Sequence, residues 1–254
     1  MTFARSLPIF LLLGLLWAGT SAFGLVTPFL LPSPAAVVAA GRDLLADGSL
    51  VRHLGISLQR VVLGYGLSVA TALPLALLFG MLPRLQALFE PALEFLRQIP
   101  PLALLPLLIL WLGIGEVQKI GVIMLSCFFP AFLGALGGIA QADPKLVEVG
   151  RACGLGRFEI LRRIVLPASL PALVVGLRIG LGYSWRALVG AELIASSSGL
   201  GYMIIEAQNL ARTDIVLVGV LVIGVLGLLA DALARGLIRR GAPWLRSHLE
   251  LGRV

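Results

Sequence analysis

Charge is what this sequence of 254 residues has least of: Asp, Glu, Lys and Arg together make up 13%, against roughly a quarter in an ordinary soluble domain. Lysine occurs only as Lys119 and Lys145. Neither follows the glycine spacing of a phosphate-binding loop, so the chain is not itself a P-loop ATPase. The two histidines, His53 and His248, stand near opposite ends outside the expected spans, and no H-E-x-x-H occurs. A metal site or a Ser/His protease therefore lacks its parts. Two cysteines, Cys127 and Cys153, give no disulfide framework. The run "SSSGLG" at 196–201 offers hydroxyls without a buried base and reads as a turn. Enzyme chemistry has no visible machinery, and no cofactor site is expected.

What is present is oil. Hydrophobic residues make up 59% and the mean hydropathy is +1.01. Uncharged stretches cover 6–41, 61–83, 98–115, 120–142, 164–177 and 215–230, and four of them reach the ~18 residues a spanning helix needs. Long apolar runs without period-two alternation select helices over a barrel, because lipid leaves backbone polar groups no outside partner. The expectation is an all-α polytopic bundle of about six spans, at about 7–26, 55–82, 98–114, 118–140, 169–195 and 214–238. The first apolar stretch resembles a signal peptide in having one Arg and small residues after its core; it is read as an uncleaved first helix. Between the second and third spans, Leu85, Leu88, Phe89, Leu93 and Leu96 recur near helical spacing, predicting a short amphipathic helix beside the bundle. No repeat or composition shift marks a second domain: 1–50 is a first helix and linker, and 51–240 the core.

Net charge is +7 and pI about 10.4, but the cations fall between apolar segments instead of forming a basic domain for nucleic acid. One side collects Arg5, Arg84, Arg97, Lys145, Arg151, Arg157, Arg162, Arg163, Arg239, Arg240, Arg246 and Arg253. The other receives Arg42, Arg52, Lys119 and Arg212, with Arg60 at a helix end. Positive-inside bias makes the first side cytoplasmic and places both termini there.

The densest charge lies in "EVGRACGLGRFEILRRIVLP", 148–167. Asp143 followed by Pro144 is a helix start, a capping carboxylate and then a residue without an N–H. Gly154 or Gly156 can supply the left-handed residue that ends this helix. A second short helix, 157–164, is expected to run to Leu166-Pro167, with Pro171 restarting the chain as the fifth span. The plain reading is a solvated loop, although a loop needs neither the capped helix nor exposed Leu155 and Phe158.

Glu148, then Gly154, then Ile164, Leu166 and Pro167 after nine intervening residues, resembles the cytoplasmic signature of permease subunits of bacterial ATP-binding-cassette importers. Val149 and Gly150 replace the two alanines preferred after the Glu. "LRQIPPLALLPLLILWLGIGE", "VVGLRIGLGYSWRALVGAELIASSSGLGY" and "ARTDIVLVGVLVIGVLGLLAD" are similar to the nitrate, sulfonate and taurine branch over about 50–240. The resemblance implies the type I importer permease fold, with a coupling helix near 143–157. Two permease copies would form the pathway, two copies of an ABC ATPase would bind ATP, and a periplasmic binding protein would deliver a small anion. Location in the bacterial inner membrane, in contact with lipid, follows. Glu148 and Arg157 become candidate polar contacts with the ATPase, Leu155 and Phe158 apolar ones, and Gly154 the turn. The alternative is an ATP-independent secondary transporter or channel, which predicts inverted repeats and broken helices.

In the fifth span Arg178, Trp185, Arg186 and Glu192 fall, at ~100° per residue, near about 0°, 340°, 80° and 320°. Ionisable groups in a membrane face the bundle interior or water, so this arc is expected to face the pathway or the twin subunit. Two cations there suit an anion. Otherwise Arg178 snorkels and Arg186 pairs with Glu192.

Overall fold

The structure is a computed structural model that describes residues 2–241 and 244, with side chains from residue 8 except at 10 and 241. The Arg5 side chain, Arg246, His248 and Arg253 lie outside the described residues. All regular elements among the described residues are helical. α1 is Thr2–Ala22, α2 Pro34–Ala46, α3 Ser49–Met81, α4 Pro83–Gln98, α5 Leu105–Leu112 and α6 Glu116–Ala140. They are followed by α7 Pro144–Ala152, α8 Arg157–Ile160, α9 Leu166–Ala195, α10 Leu200–Asn209 and α11 Thr213–Gly241.

Helix ends follow local chemistry. Ser33 accepts the Ala36 N–H at 3.2 Å ahead of Pro34, a cap followed by a residue that has no N–H to satisfy. Gly48, at φ +75°, ends α2. Asp47 then accepts the Ser49 N–H at 2.8 Å. Bonding from the Ser49 hydroxyl, and then from its N–H, holds the Asp47 carboxyl below the usual range.

Among the described residues four helices are long and apolar enough to cross a membrane: Ser49–Met81, Glu116–Ala140, the continuous Arg157–Ala195 and Thr213–Arg240. They sit on four of the expected spans. The stretch at 98–114 departs from expectation. A 3₁₀ turn, Pro101–Leu104, precedes the eight residues of α5, and the pair Pro83–Gln98 and Pro101–Leu112 is bent by 87°. Pro100 and Pro101 bias the residue before each toward extended backbone and remove N–H donors, so α4 cannot continue. As one broken crossing, this pair makes a fifth span. The first helix, Thr2–Ala22, ends four residues before the expected close of the first span near 26. Pro167 and Pro171 do not interrupt the fifth span. A π-helical turn, Leu161–Val165, joins α8 to α9, and such turns absorb a local mismatch without ending a helix.

The chain groups into two compact units. One is Met1–Ser57 with Glu192–Val225, the other Leu58–Ala191 with Leu226–Val254. In the larger unit α6 is central. A Cβ on Gly134 would lie 2.7 Å from the Gly176 Cα, one on Gly176 2.5 Å from the Pro130 carbonyl oxygen, and one on Gly138 2.6 Å from that of Ser169. The α6 and α9 backbones therefore touch, as small residues allow where lipid supplies no hydrophobic drive between helices. In the smaller unit the Trp17 indole donates to the Pro32 carbonyl at 2.9 Å, and the Thr213 hydroxyl to that of Phe29 at 2.6 Å.

Gly176→Val should lower the melting temperature of the purified protein in detergent by several degrees, corresponding to an overpacking cost of about 1–3 kcal/mol. Gly137→Ala, whose Cβ would meet nothing within 4 Å, should melt like the parent.

Candidate functional site

The middle segment is built as two short helices on a rigid turn. Asp143 caps α7 by accepting the Lys145 N–H at 2.9 Å. At the other end the Gly154 N–H donates to the Arg151 carbonyl at 2.9 Å and the Leu155 N–H to that of Gly150 at 3.0 Å. With Gly154 at φ +78°, this is a Schellman close, whose left-handed residue glycine adopts without strain. Gly154, and not Gly156 at φ −70°, is the turn residue. Glu159 accepts the Gly156 N–H at 3.2 Å to start α8, and pairs with Arg163 at 3.2 Å.

Gly150 stands at one of the two positions where the signature prefers alanine. It is buried, and a Cβ there would lie 2.8 Å from Ile164 Cδ1. α7 is thereby seated directly on the chain leading into α9. Outward, the segment shows Leu146, Val149 and Phe158, the last 70% exposed. Glu148 and Arg157 are exposed and Leu155 is half-buried.

Beyond the backbone contact, the facing sides of α6 and α9 part into a cleft of about 1030 Å³. Leu125, Phe129 and Leu133 form one wall, and Val175, Ile179 and Tyr183 the other. Gln141 and Ala168 lie at the end nearest α7 and α8, and Arg97, Ile99 and Pro101 complete the lining. The lining is predominantly apolar.

The four residues of the fifth span do not act as one face. Arg178 pairs with Asp231 of α11 at 2.6 Å, and Asp231 also pairs with Arg235 at 2.6 Å. Trp185 is buried in the core formed by Val61, Leu105, Val122 and Leu188. Arg186 is exposed, its guanidinium 5.5 Å from the Tyr183 ring centroid, a cation–π arrangement. It continues the cleft-lining stripe of α9 one turn past Tyr183. Pairing of Arg186 with Glu192 is not what forms.

Glu192 is fully buried and holds the smaller unit together. It accepts from the Ser57 hydroxyl at 2.8 Å and from the Gly201 N–H at 2.8 Å. Ser57 in turn accepts the Leu200 N–H at 2.9 Å, and His53 Nδ1 that of Gly199 at 3.0 Å. Three consecutive N–H groups at the start of α10 are thus satisfied beside a carboxylate, the charge sign that a helix N-terminus favours. "SSSGLG" is the turn it was expected to be, but His53 lies inside α3 and not outside the spans. An acid seven residues ahead of Gly199-Leu200-Gly201 was the available signal for this cap.

Arg60 is likewise internal, 2% exposed. It donates to Glu116 through Nε and Nη2, each at 2.6 Å, and Lys119 joins at 3.0 Å. No group of three or more His, Cys, Asp or Glu side chains among the described residues could hold a metal.

A multipass helical core, a cleft between two crossing helices and a protruding helix–turn–helix define a membrane transport subunit. Residues 69–241 match the family of binding-protein-dependent transport system inner membrane components, and the chain belongs to that family. It is 38% identical over 233 residues to the protein assigned in Bacillus subtilis (strain 168) as an aliphatic sulfonates transport permease, covering 92% of this chain and 84% of that one. With the taurine transport system permease protein of Escherichia coli (strain K12) it shares 37% over 233 residues, 90% of this chain and 85% of the relative. The nitrate import permease protein of Leptolyngbya laminosa is 30% identical over 197 residues, 78% of this chain and 71% of the relative. Among solved structures, the inward-facing MetNI methionine ABC transporter superposes with a TM-score of 0.60 at 19% identity, covering 74% of this chain and 95% of that one. That likeness bears on the fold.

Glu192→Ala should loosen the cap of α10 and lower stability by on the order of 3 kcal/mol, since the buried Gly201 N–H and Ser57 O–H both lose their acceptor. Thermal unfolding in detergent measures this, and Glu192→Gln, which keeps one acceptor oxygen, should fall between the two.

Proposed function

We propose that two copies of this chain form the pathway of an ATP-binding-cassette importer in a bacterial inner membrane. Two copies of a separate ATPase bind beneath and hydrolyse ATP, and a periplasmic binding protein delivers the solute. Both termini and the α7–α8 segment are cytoplasmic, as the arginine asymmetry requires. The chain carries no cofactor of its own.

The observation that carries this reading is the α7–α8 segment. A loop does not need a capped helix, a Schellman turn and three exposed apolar side chains, Leu146, Val149 and Phe158. A partner's groove does. Gly150 against Ile164 makes the gripped part rigid with the chain entering α9, so movement of the ATPase is carried into the wall of the cleft. Glu148 and Arg157 supply polar contacts at the rim, Leu155 and Phe158 apolar ones, and Gly154 the turn. This is a bistable wall biased by a partner's nucleotide.

The solute is a small anion of the sulfonate, taurine or nitrate kind. Relatives carry those names, the cleft lining includes the cation Arg97, and Arg186 follows one turn of α9 past the lining residue Tyr183, over whose ring it rests. Arg178 serves the fold through Asp231, and Trp185 and Glu192 serve it through burial.

Phe158→Ala should lower affinity for the co-expressed ATPase by at least about tenfold, as truncating a buried aromatic anchor does. Gly154→Val should leave the complex assembled but abolish binding-protein-stimulated ATP hydrolysis. Wild-type coupling in both variants would refute the assigned role. Arg186→Ala should cut anion uptake with normal assembly, whereas Arg178→Ala should reduce folded yield because Asp231 loses a partner within the membrane.

A further inference from the structure

We propose that Gln118 is a second polar contact of the solute pathway, covered in this state by the segment Pro101–Leu112 and presented to the oxyanion end of the solute when that segment moves. The inference rests on the reading above that the cleft between α6 and α9 belongs to the pathway.

Gln118 is completely buried, and neither its amide oxygen nor its amide nitrogen has a hydrogen-bond partner. An amide sealed from solvent without partners is a standing cost to the fold. Such groups are rare enough to call for a role outside the state observed. Its position supplies one. Residues 118, 122, 125, 129 and 133 recur at spacings of four and three and form one stripe of α6. Leu125, Phe129 and Leu133 of that stripe line the cleft. Gln118 lies on its prolongation, about 10 Å past Leu125 at 1.5 Å per residue.

Opposite it, α9 brings Arg186 to the same passage. Gly176 against Gly134 and Gly180 against the Cys127 carbonyl fix the antiparallel register, which sets Arg186 level with Val122, one turn of α6 from Gln118. An ion passing Tyr183 and Arg186 would next meet the amide. Its nitrogen can donate to a sulfonate or nitrate oxygen, adding direction to the charge that Arg186 supplies.

What closes the passage is short and separately jointed. Leu102 fills the space over Gly190, where a Cβ would meet its Cδ1 at 2.6 Å. Leu108 and Leu112 reach Gly121, 3.9 and 3.8 Å from a Cβ there, one turn from Gln118. Leu105 and Leu108 share a core with Val122. At one end the segment begins after the 87° bend at Pro100 and Pro101. At the other it stops at Gly113, φ +77°, and Gly115. The two breaks let Pro101–Leu112 shift without unwinding a spanning helix.

The test uses the permease reconstituted in vesicles with its ATPase and binding protein, supplied with taurine, ethanesulfonate or nitrate. Gln118→Leu, of similar volume, should melt at or above the parent temperature yet import the best-transported anion with kcat/KM reduced about tenfold, mainly through KM. Gln118→Asn, which keeps the amide, should recover part of the loss. In a background lacking Cys127 and Cys153, Gln118→Cys should react with a membrane-impermeant maleimide after trapping with ATP and vanadate, and not before. Unchanged import by Gln118→Leu, or a Gln118→Cys that never reacts, overturns the inference while leaving the proposed function intact. A parent complex that imports none of the three anions overturns the anion reading, and this inference with it.

Discussion

The close approach of α6 and α9 governs what the larger unit can do. In lipid, apolar side chains gain nothing by leaving one apolar surrounding for another, so helices hold together through backbone proximity and van der Waals contact. Gly134, Gly138, Gly176 and Ser169 allow that proximity. Larger residues on the neighbouring faces, Leu125, Phe129, Val175 and Tyr183, then hold the adjoining surfaces apart and leave a cleft along the seam. The same contact constrains the connection between the two helices. Chain leaving α6 at Ala140 must return to α9 at Leu166, and it folds into two short helices pinned by the Gly150 contact with Ile164.

Charge inside the apolar region is treated in two ways. Arg60 shares Glu116 with Lys119, Arg178 shares Asp231 with Arg235, and Glu192 is enclosed by hydroxyl and amide donors. These groups satisfy one another and stiffen helix contacts. Arg186 is exposed and rests over an aromatic face, leaving its guanidinium donors available. Sequence periodicity put all four residues of the fifth span in one arc, and the structure distinguishes them by what each one touches.

The spans at α3, α6, α9 and α11 were legible because a hydrocarbon core demands long uninterrupted apolar runs, and so was the Asp143-Pro144 start of α7. The break at Pro100-Pro101 was not, since the apolar run across 98–115 has a spanning length whether or not the helix stays straight. Nor did Leu166-Pro167 stop its helix, because a π turn accommodates what the proline ring denies an α-helix. The contact of Gly150 with Ile164 joins residues 14 apart across a turn and was not legible in the sequence. The partners of Glu192 lie 135 residues away at Ser57 and nine away at Gly201, a separation that no local pattern encodes. Asp231 is the exception that could have been matched: an acid deep in an apolar helix requires a cation, and Arg178 was available.

The π turn at Leu161–Val165 has a mechanical meaning. Because it joins α8 to α9 without a break, Arg157 to Ala195 is one continuous helical path of 39 residues, about 58 Å along the chain at 1.5 Å per residue. Phe158 sits at its foot and Glu192 three residues from its head. Phe158, exposed at the turn, and Tyr183, on the wall of the cleft, therefore share one unbroken helix, joined by backbone hydrogen bonding along its length and not by a loop.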